Sequence, residues 1–239
     1  MCLLLIPTYN EAGNVKDIIN KINSLNENLD ILFVDDNSPD NTGKILEDQK
    51  KIYKNIHIIH RNAKSGIGSA HVEGINWCYD NGYKTVITMD CDFTHSPEHI
   101  KLFLDKKNEA DLVIGSRFIS KGGLSGWSIR RKIITNIGHM LTKIFLNVNY
   151  DCTGAFRLYN ISVIPKKLFN KIDSDGYSFF FKSVFIINYN NFKIKEVPIV
   201  LSSRAAGNSK MKLNDAFKGI FDLLKIFILK IFNKSIYKI

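Results

Sequence analysis

The sequence predicts an α/β fold, a single domain on a mainly parallel sheet flanked by helices. Three observations carry this expectation. Short apolar runs alternate with longer segments whose apolar residues recur every three or four positions. Each of the early runs ends in a polar cluster that leads into a helix-like segment, which is the order of repeated strand, loop and helix units. Finally, 239 residues can enclose a good core, and no Pro- or Gly-rich linker or internal repeat divides them.

The elements follow in order. Cys2 to Ile6 is an apolar strand that breaks at Pro7-Thr8-Tyr9-Asn10-Glu11, after which Val15, Ile18, Ile19, Ile22 and Leu25 fall at helical spacing. Ile31 to Val34 is a second strand, leading through Asp35-Asp36-Asn37-Ser38-Pro39-Asp40 into a helix from Thr42 to Tyr53. Ile56 to Ile59 is a third, followed by Lys64-Ser65-Gly66-Ile67-Gly68-Ser69-Ala70 and a helix reaching about Tyr79. Thr85 to Thr88 is the fourth, and it runs out into Met89-Asp90-Cys91-Asp92-Phe93-Thr94-His95. Near the end, Phe217, Ile220, Phe221, Leu224, Phe227, Ile228 and Ile231 recur at helical spacing with Lys218, Asp222 and Lys225 opposite, an amphipathic helix.

Ligands bind such sheets at the carboxyl ends of the strands, where Pro7 to Glu11, Asp35-Asp36 and Asp90-Asp92 all fall. Alternation along a strand places Asp90 and Asp92 on one face, and oxygen ligands of that kind suit Mg²⁺ or Mn²⁺ bound together with substrate phosphates. Taken alone, an Asp-x-Asp at a strand end is also ordinary turn chemistry.

The net charge of +10 is uneven. Leu201 to Ile239 holds eight Lys or Arg against two Asp, so anionic surfaces are expected neighbours of the tail. A membrane span needs roughly 20 mostly apolar residues, and Lys218, Asp222, Lys225 and Lys230 interrupt this helix too often. Its first turns suit packing on the domain, whereas Ile226 to Leu229, apolar all round, point to lipid or a membrane subunit. A nucleic-acid partner is not expected, because the basic residues follow helix spacing and no binding motif is present. Cys2, Cys78, Cys91 and Cys152 lack metal spacing and read as free thiols of a reducing compartment. Cys2 to Ile6 is too short for a signal-peptide core, so the domain is expected to face the cytosol.

Taken in order, these segments form a series with Gly115-Ser116-Arg117, Arg131-Lys132-Ile133-Ile134-Thr135, Thr153-Gly154-Ala155-Phe156-Arg157, Glu196-Val197-Pro198-Ile199 and Arg204 through Lys210. In that series the chain resembles the family-2 glycosyltransferases of GT-A fold, a Rossmann-like architecture, and among them the catalytic subunits of the dolichol-phosphate mannose synthases. The resemblance implies a catalytic domain over 1–210 and a basic amphipathic membrane- or partner-associating helix over 211–239. It implies inverting transfer of mannose from GDP-mannose to dolichyl phosphate at the cytosolic face of the endoplasmic reticulum membrane, in the service of protein glycosylation and GPI-anchor assembly. Small membrane-anchoring subunits are implied as further partners.

The site residues follow from the same resemblance. Pro7, Tyr9, Glu11, Val34, Asp36, Asp90, Cys91, Asp92, Arg117, Arg204 and Lys210 are expected around the donor. Asp90 and Asp92 would hold Mg²⁺ or Mn²⁺, with Thr94 as a third ligand through water. Pro7 and Val34 offer apolar surface to a base, while Glu11 and Asp36 accept hydrogen bonds; Asp36 also suits an Asx turn with Ser38 and Pro39. Arg117, Arg131 and Thr135 would meet the acceptor phosphate, and Asp92, Arg117 and Arg131 are the candidate catalytic residues. A phosphate nucleophile, with a second pKa of about 6, needs no general base. Arg130 and Lys132 are read as solvated or headgroup-facing.

Other readings are weaker. Lys64 to Gly68 lacks the third glycine of a dinucleotide fingerprint, His71 standing there, and no Walker A or Gln-x-x-Arg-Trp signature occurs. His95 is expected to be structural. A dolichyl-phosphate glucosyltransferase using UDP-glucose is the runner-up, disfavoured because that group carries an N-terminal anchor. A non-catalytic nucleotide-sugar-binding subunit is the alternative of another class. Its support is a departure from the family: Phe180 and Lys182 stand where Gln and Glu are usual, reversing a charge. Cys91 replaces the usual Ala, and Ala155 the usual Gly or Ser.

Overall fold

The computed structural model describes residues 1–119, 122–124, 127–202, 204 and 213–239. Seven strands form one sheet: β1 (Cys2–Thr8), β2 (Asp30–Asp35), β3 (Ile56–His60), β4 (Thr85–Thr88), β5 (Leu112–Ser116), β6 (Arg157–Asn160) and β7 (Ile194–Pro198). Their order is β3-β2-β1-β4-β6-β5-β7. All neighbours are parallel except β6, which runs antiparallel to both β4 and β5. The expected parallel half is thus present, and the antiparallel insertion is a feature of the second half that no local pattern announced.

Helices α1 (Val15–Asn23), α2 (Thr42–Ile52), α3 (Ile67–Asp80), α4 (Ile100–Lys106), α5 (Ile129–Leu146), α6 (Lys166–Asn170), α7 (Ser178–Tyr189) and α8 (Leu213–Phe232) surround it. Alternation along the strands sorts the core into two layers. Leu4, Ile6 and Phe33 join α1 residues Val15, Ile18, Ile19 and Ile22 on one face, while Leu3, Leu5 and Leu32 meet Ile75 and the α7 residues Phe179, Val184 and Ile187 on the other. Burying each such side chain is worth about 1.5–3 kcal/mol. Phe103 and Phe156, both fully enclosed, stack at 4.4 Å and carry the first layer across to β6.

The order of β1, β2 and β4 puts a topological switch between β1 and β4, and the loops after both open there. Gly66 (φ 98°) and Gly68 shape the neighbouring loop. A Cβ on Gly68 would stand 2.5 Å from the carbonyls of Ser174 and Gly176, so the close approach they permit is to the chain's own segment before α7.

The C-terminal helix departs from expectation in its orientation. Asp222, expected outside with Lys218 and Lys225, points inward and is buried with Leu223 and Ile226. Phe217, Phe221, Leu224, Ile228 and Ile231 point outward. The chain then folds back: the Tyr237 ring meets Phe185 at 5.1 Å, and Asn190 Nδ2 donates to the Tyr237 carbonyl at 2.8 Å. Among the described residues, no helix is long and apolar enough to cross a membrane.

Candidate active site

Strand β4 ends at Thr88, so the backbone alternation expected to align Asp90 and Asp92 does not extend to them. A bend with Phe93 at φ 62° places them instead. Asp92 is buried. Its Oδ1 accepts from the Thr94 amide at 3.1 Å and the Thr94 hydroxyl at 2.6 Å, and Arg204 Nη1 lies 2.5 Å from Oδ2. Thr94 therefore orients the carboxylate directly. The Asp90 side chain is about one-third exposed (33%), and its amide donates to His95 Nδ1 at 3.0 Å. That nitrogen is then an acceptor, so His95 carries its proton on Nε2. Burial pushes its pKa down to about 4, against the opposing pull of Asp92, so the 3.7 Å approach to Asp90 Oδ2 is no ion pair. His95 braces the loop, as the sequence suggested.

The chemistry of this donor set fits a hard divalent cation. Asp90, Asp92 and Thr94 offer oxygen only, and Asp92 already has a cation, Arg204, against its outer oxygen. Among the described residues no group of three or more His, Cys, Asp or Glu side chains gathers to hold an ion. The pair of Asp90 and Asp92 suits Mg²⁺ or Mn²⁺ that also takes substrate oxygens.

The basic residues separate into two kinds. Arg117, expected to face phosphates, has its Nε and Nη2 on fully buried Asp151 at 2.8 and 2.6 Å, and Nη2 also meets Thr153 Oγ1. Burial alone would raise the Asp151 pKa, but Arg117 outweighs it and holds the carboxyl below its usual range. Asp151 in turn donates its amide to Glu196 Oε1 at 2.8 Å, and burial raises the Glu196 carboxyl. This corrects the picture of Arg117 as a cation available to two phosphates: much of its charge is met inside the protein. Arg131 is different. It stands in the first turn of α5, whose N-cap Ser128 accepts its amide, with its guanidinium 3.5 Å over the Trp127 ring. Partial burial, then the charge of Arg204, lower its pKa, and Asp92, Arg117 and Asp90 act on it too; the site's charges converge here. Thr135 follows one turn later on the same helix.

The donor end has similar corrections. Val34 is fully enclosed and packs in the core, so it offers no face to a base; both faces of β2 are covered, and Ile31 to Asp35 are all buried. Asp36 is committed to the chain itself, accepting from Arg61 Nη1 at 2.8 Å and from the Ser65 and Gly66 amides at 2.8 and 2.9 Å. The turn with Ser38 is made by Asp35, whose Oδ1 takes the Ser38 hydroxyl at 2.5 Å. Tyr9 and Pro7 remain partly exposed, with Lys64 Nζ 3.7 Å over the Tyr9 ring. Buried Glu11 accepts from Asn14 Nδ2 at 2.6 Å, and Cys91 is buried in the core. Lys210 lies outside the described residues.

Sequence reasoning missed Asp151 and Tyr177. Tyr177 precedes α7, and burial, then Asp90, pushes its phenol up to about 12, with Asp215, Arg204 and Asp92 also in its field. No spacing signalled either residue, because both reach the site through tertiary packing. The reversed charge at Lys182 is answered: its Nζ lies 3.2 Å from Asp222 Oδ1 and donates to the Asp173 carbonyl at 2.6 Å. Phe180 meets the His71 ring edge-on at 5.2 Å.

Comparison with known proteins bears on the family and the fold. The family model described as "Glycosyl transferase family 2" matches residues 4–169. The chain is 33% identical over 222 residues to a polyprenol monophosphomannose synthase of Mycolicibacterium smegmatis, covering 92% of this chain and 84% of that protein. It is 34% identical over 210 residues to an undecaprenyl-phosphate mannosyltransferase of Micrococcus luteus, covering 87% and 86%. Among solved structures, S. aureus TarS 1-349 is similar with a TM-score of 0.56 and 14% identity, covering 97% of this chain and 65% of that one. The mannosyltransferase PcManGT from Pyrobaculum calidifontis, in complex with GDP-Man and Mn²⁺, gives a TM-score of 0.54 at 12% identity, covering 87% and 58%. Likeness at such identities speaks for the fold.

Proposed function

The chain belongs to glycosyl transferase family 2, and on that premise we propose that it transfers mannose from GDP-mannose to a polyprenyl phosphate. The observation that carries the reading is the match of a third of its residues, over nearly its whole length, to two enzymes named for mannosyl transfer to polyprenyl lipids. Dolichyl phosphate as acceptor, and the cytosolic face of the endoplasmic reticulum as location, are the finer part of the reading; only the motif resemblance supports them. The Micrococcus relative's name brings undecaprenyl phosphate as the competing acceptor.

The chemistry asks little acid–base work of the protein. An anionic oxygen of the acceptor phosphate attacks the anomeric carbon from the face opposite the diphosphate. A new carbon–oxygen bond forms, the bond to the diphosphate breaks, and the nucleotide leaves with the electron pair, so the anomeric configuration inverts. Charge builds on the departing oxygens while a second anion approaches, and cations must offset both. Arg131 and Arg204, clustered about Asp92, supply them, with the Thr135 hydroxyl as a further donor. Mg²⁺ or Mn²⁺ held by Asp90 and Asp92 would add Lewis-acid stabilisation of the departing diphosphate. Arg117 acts here as a positioning residue that shapes the floor with Asp151. Residues 1–210 would then carry the catalysis and 211–239 the attachment.

The non-catalytic alternative rests on the change at Phe180 and Lys182, and Asp222 supplies the counter-charge that lets the fold accommodate Lys182. The test is transfer of label from GDP-mannose or UDP-glucose, with Mg²⁺ or Mn²⁺, to dolichyl and undecaprenyl phosphate. Label from GDP-mannose in lipid is the expected result. Label from UDP-glucose alone overturns the mannosyl reading, and transfer from neither overturns the enzyme reading.

A further inference from the structure

We propose, resting on the GDP-mannose reading above, that Lys64 is the residue that selects the base of the donor, meeting guanine along its O6 and N7 edge. The polar side chains expected at this end are already engaged within the chain. Asp36 accepts from Arg61 and from the Ser65 and Gly66 amides, and buried Glu11 accepts from Asn14. Val34 is enclosed. Pro7 and Tyr9 stay partly exposed, and Lys64 is exposed beside them.

The Lys64 ammonium rests 3.7 Å over the centre of the Tyr9 ring. Among the described residues no carboxylate pairs with it. A cation on a part-exposed aromatic face is weakly held, and a flat base competes for the same face. The base takes the ring, and the ammonium turns to its rim.

The backbone under Lys64 is fixed for this task. Asp36 Oδ1 takes the Ser65 amide at 2.8 Å and Oδ2 the Gly66 amide at 2.9 Å, while Arg61 Nη1 reaches the Gly66 carbonyl at 3.3 Å. Arg61 is itself held by Glu73 at 3.0 Å and the Ser69 hydroxyl at 2.8 Å. Gly66 has φ 98°, and a Cβ there would stand 2.5 Å from the Asp175 carbonyl, so the loop lies pressed against the segment before α7. Asp36 therefore serves the base at second hand, by anchoring the loop from which Lys64 reaches. A side chain presented from an ordered loop loses less freedom on binding.

The chemistry of an ammonium chooses among bases. It has three donors and no acceptor. Guanine sets two acceptors, O6 and N7, side by side on one edge, and a single ammonium can meet both. Uracil offers O4 with a carbon beside it. Adenine places an amino donor next to N7, which opposes the ammonium donor to donor. The expected order is GDP, then UDP, then ADP.

The test is calorimetric titration of GDP, 7-deaza-GDP, UDP and ADP, with Mg²⁺, into wild type, Lys64→Met and Lys64→Arg. Wild type is expected to bind GDP most tightly and to lose about tenfold when N7 is replaced by carbon. Lys64→Met is expected to weaken GDP about tenfold, to weaken UDP much less and to bind GDP and 7-deaza-GDP alike. Lys64→Arg, whose fork suits the same two acceptors, is expected to keep the guanine preference. An unchanged urea midpoint for Lys64→Met is expected, which assigns the loss to the contact and not to the fold. Equal weakening of GDP and UDP would put Lys64 on the diphosphate and overturn the proposal, as would a penalty for 7-deaza-GDP that persists in Lys64→Met. Tighter binding of UDP than GDP by wild type would overturn the GDP-mannose reading itself, whereas a GDP preference that survives Lys64→Met would overturn only this inference.

Discussion

The Arg204 guanidinium lies 2.5 Å from the Asp92 carboxylate, joining the segment after β7 to the loop after β4. A carboxylate oriented on one oxygen by Thr94 and met on the other by a cation is poised for an anion–cation exchange when a diphosphate arrives.

Asp92→Ala is expected to lower kcat by at least about 10³-fold, and Thr94→Ala by about tenfold through loss of the orienting hydroxyl. Arg204→Ala is expected to cost about 10²-fold in kcat/KM. Steady-state assays with GDP-mannose and a polyprenyl phosphate check all three; near-wild-type turnover of Asp92→Ala would remove this carboxylate from the chemistry.

Asp151→Ala leaves the Arg117 charge buried and unmatched, and is expected to cost about 3–5 kcal/mol in stability by urea unfolding. Asp151→Asn keeps the shape and is expected to cost less. If Arg117 were chiefly a phosphate ligand, Asp151→Ala would weaken binding while leaving the unfolding midpoint in place.

Lys182→Glu sets two carboxylates together and Asp222→Lys two ammonium groups, so each alone is destabilising. The double exchange is expected to recover part of the loss, with a coupling of about 1–3 kcal/mol in the double-mutant cycle. Strict additivity would show that the pair does not hold α8 to α7.

Acid should weaken the fold through two buried histidines. Burial pushes both His71 and His95 down to about 4, whereas the unfolded chain has ordinary histidines near 6.5. Between these values the unfolded state binds more protons, so stability is fully present above about pH 6.5 and falls toward pH 4 by up to about 1.4 kcal/mol per pH unit for each histidine. Unfolding free energies measured from pH 7.5 to 4.5 check the slope, and His71→Phe is expected to flatten it.

Deleting the residues after Ile226 removes the Tyr237 contacts with Phe185 and the Asn190 bonds to the last turn, besides the exposed Ile228 and Ile231. The truncated chain is expected to melt lower as well as to lose vesicle binding. An unchanged melting temperature would mean that the fold-back adds nothing to the domain.

Much of the first half was legible because local pattern and tertiary role coincide there. The periodic residues Val15, Ile18, Ile19 and Ile22 form the buried face of α1, and the polar clusters after β1, β2 and β4 sit at one edge of a parallel sheet. The site was legible in its members and less so in their tasks. Asp35 and Asp36 are adjacent and chemically equal in sequence, yet Asp35 closes the turn and Asp36 anchors Arg61 with the Lys64 to Gly68 loop.

By itself the sequence determined the alternating strands and helices, the carboxyl-end placement of the acidic loops and the family, because hydrophobic period and motif order are local properties of the chain. Only the tertiary structure decided that β6 enters the sheet antiparallel, that Val34 turns inward, that Arg117 is met by Asp151 and that α8 shows its apolar side outward. Three of these depend on a partner distant in sequence: Leu158 pairs with Ile87 in the sheet, Arg117 with Asp151, and Asp222 with Lys182. A buried charge goes where its counter-charge is, and that address is written only in the folded chain.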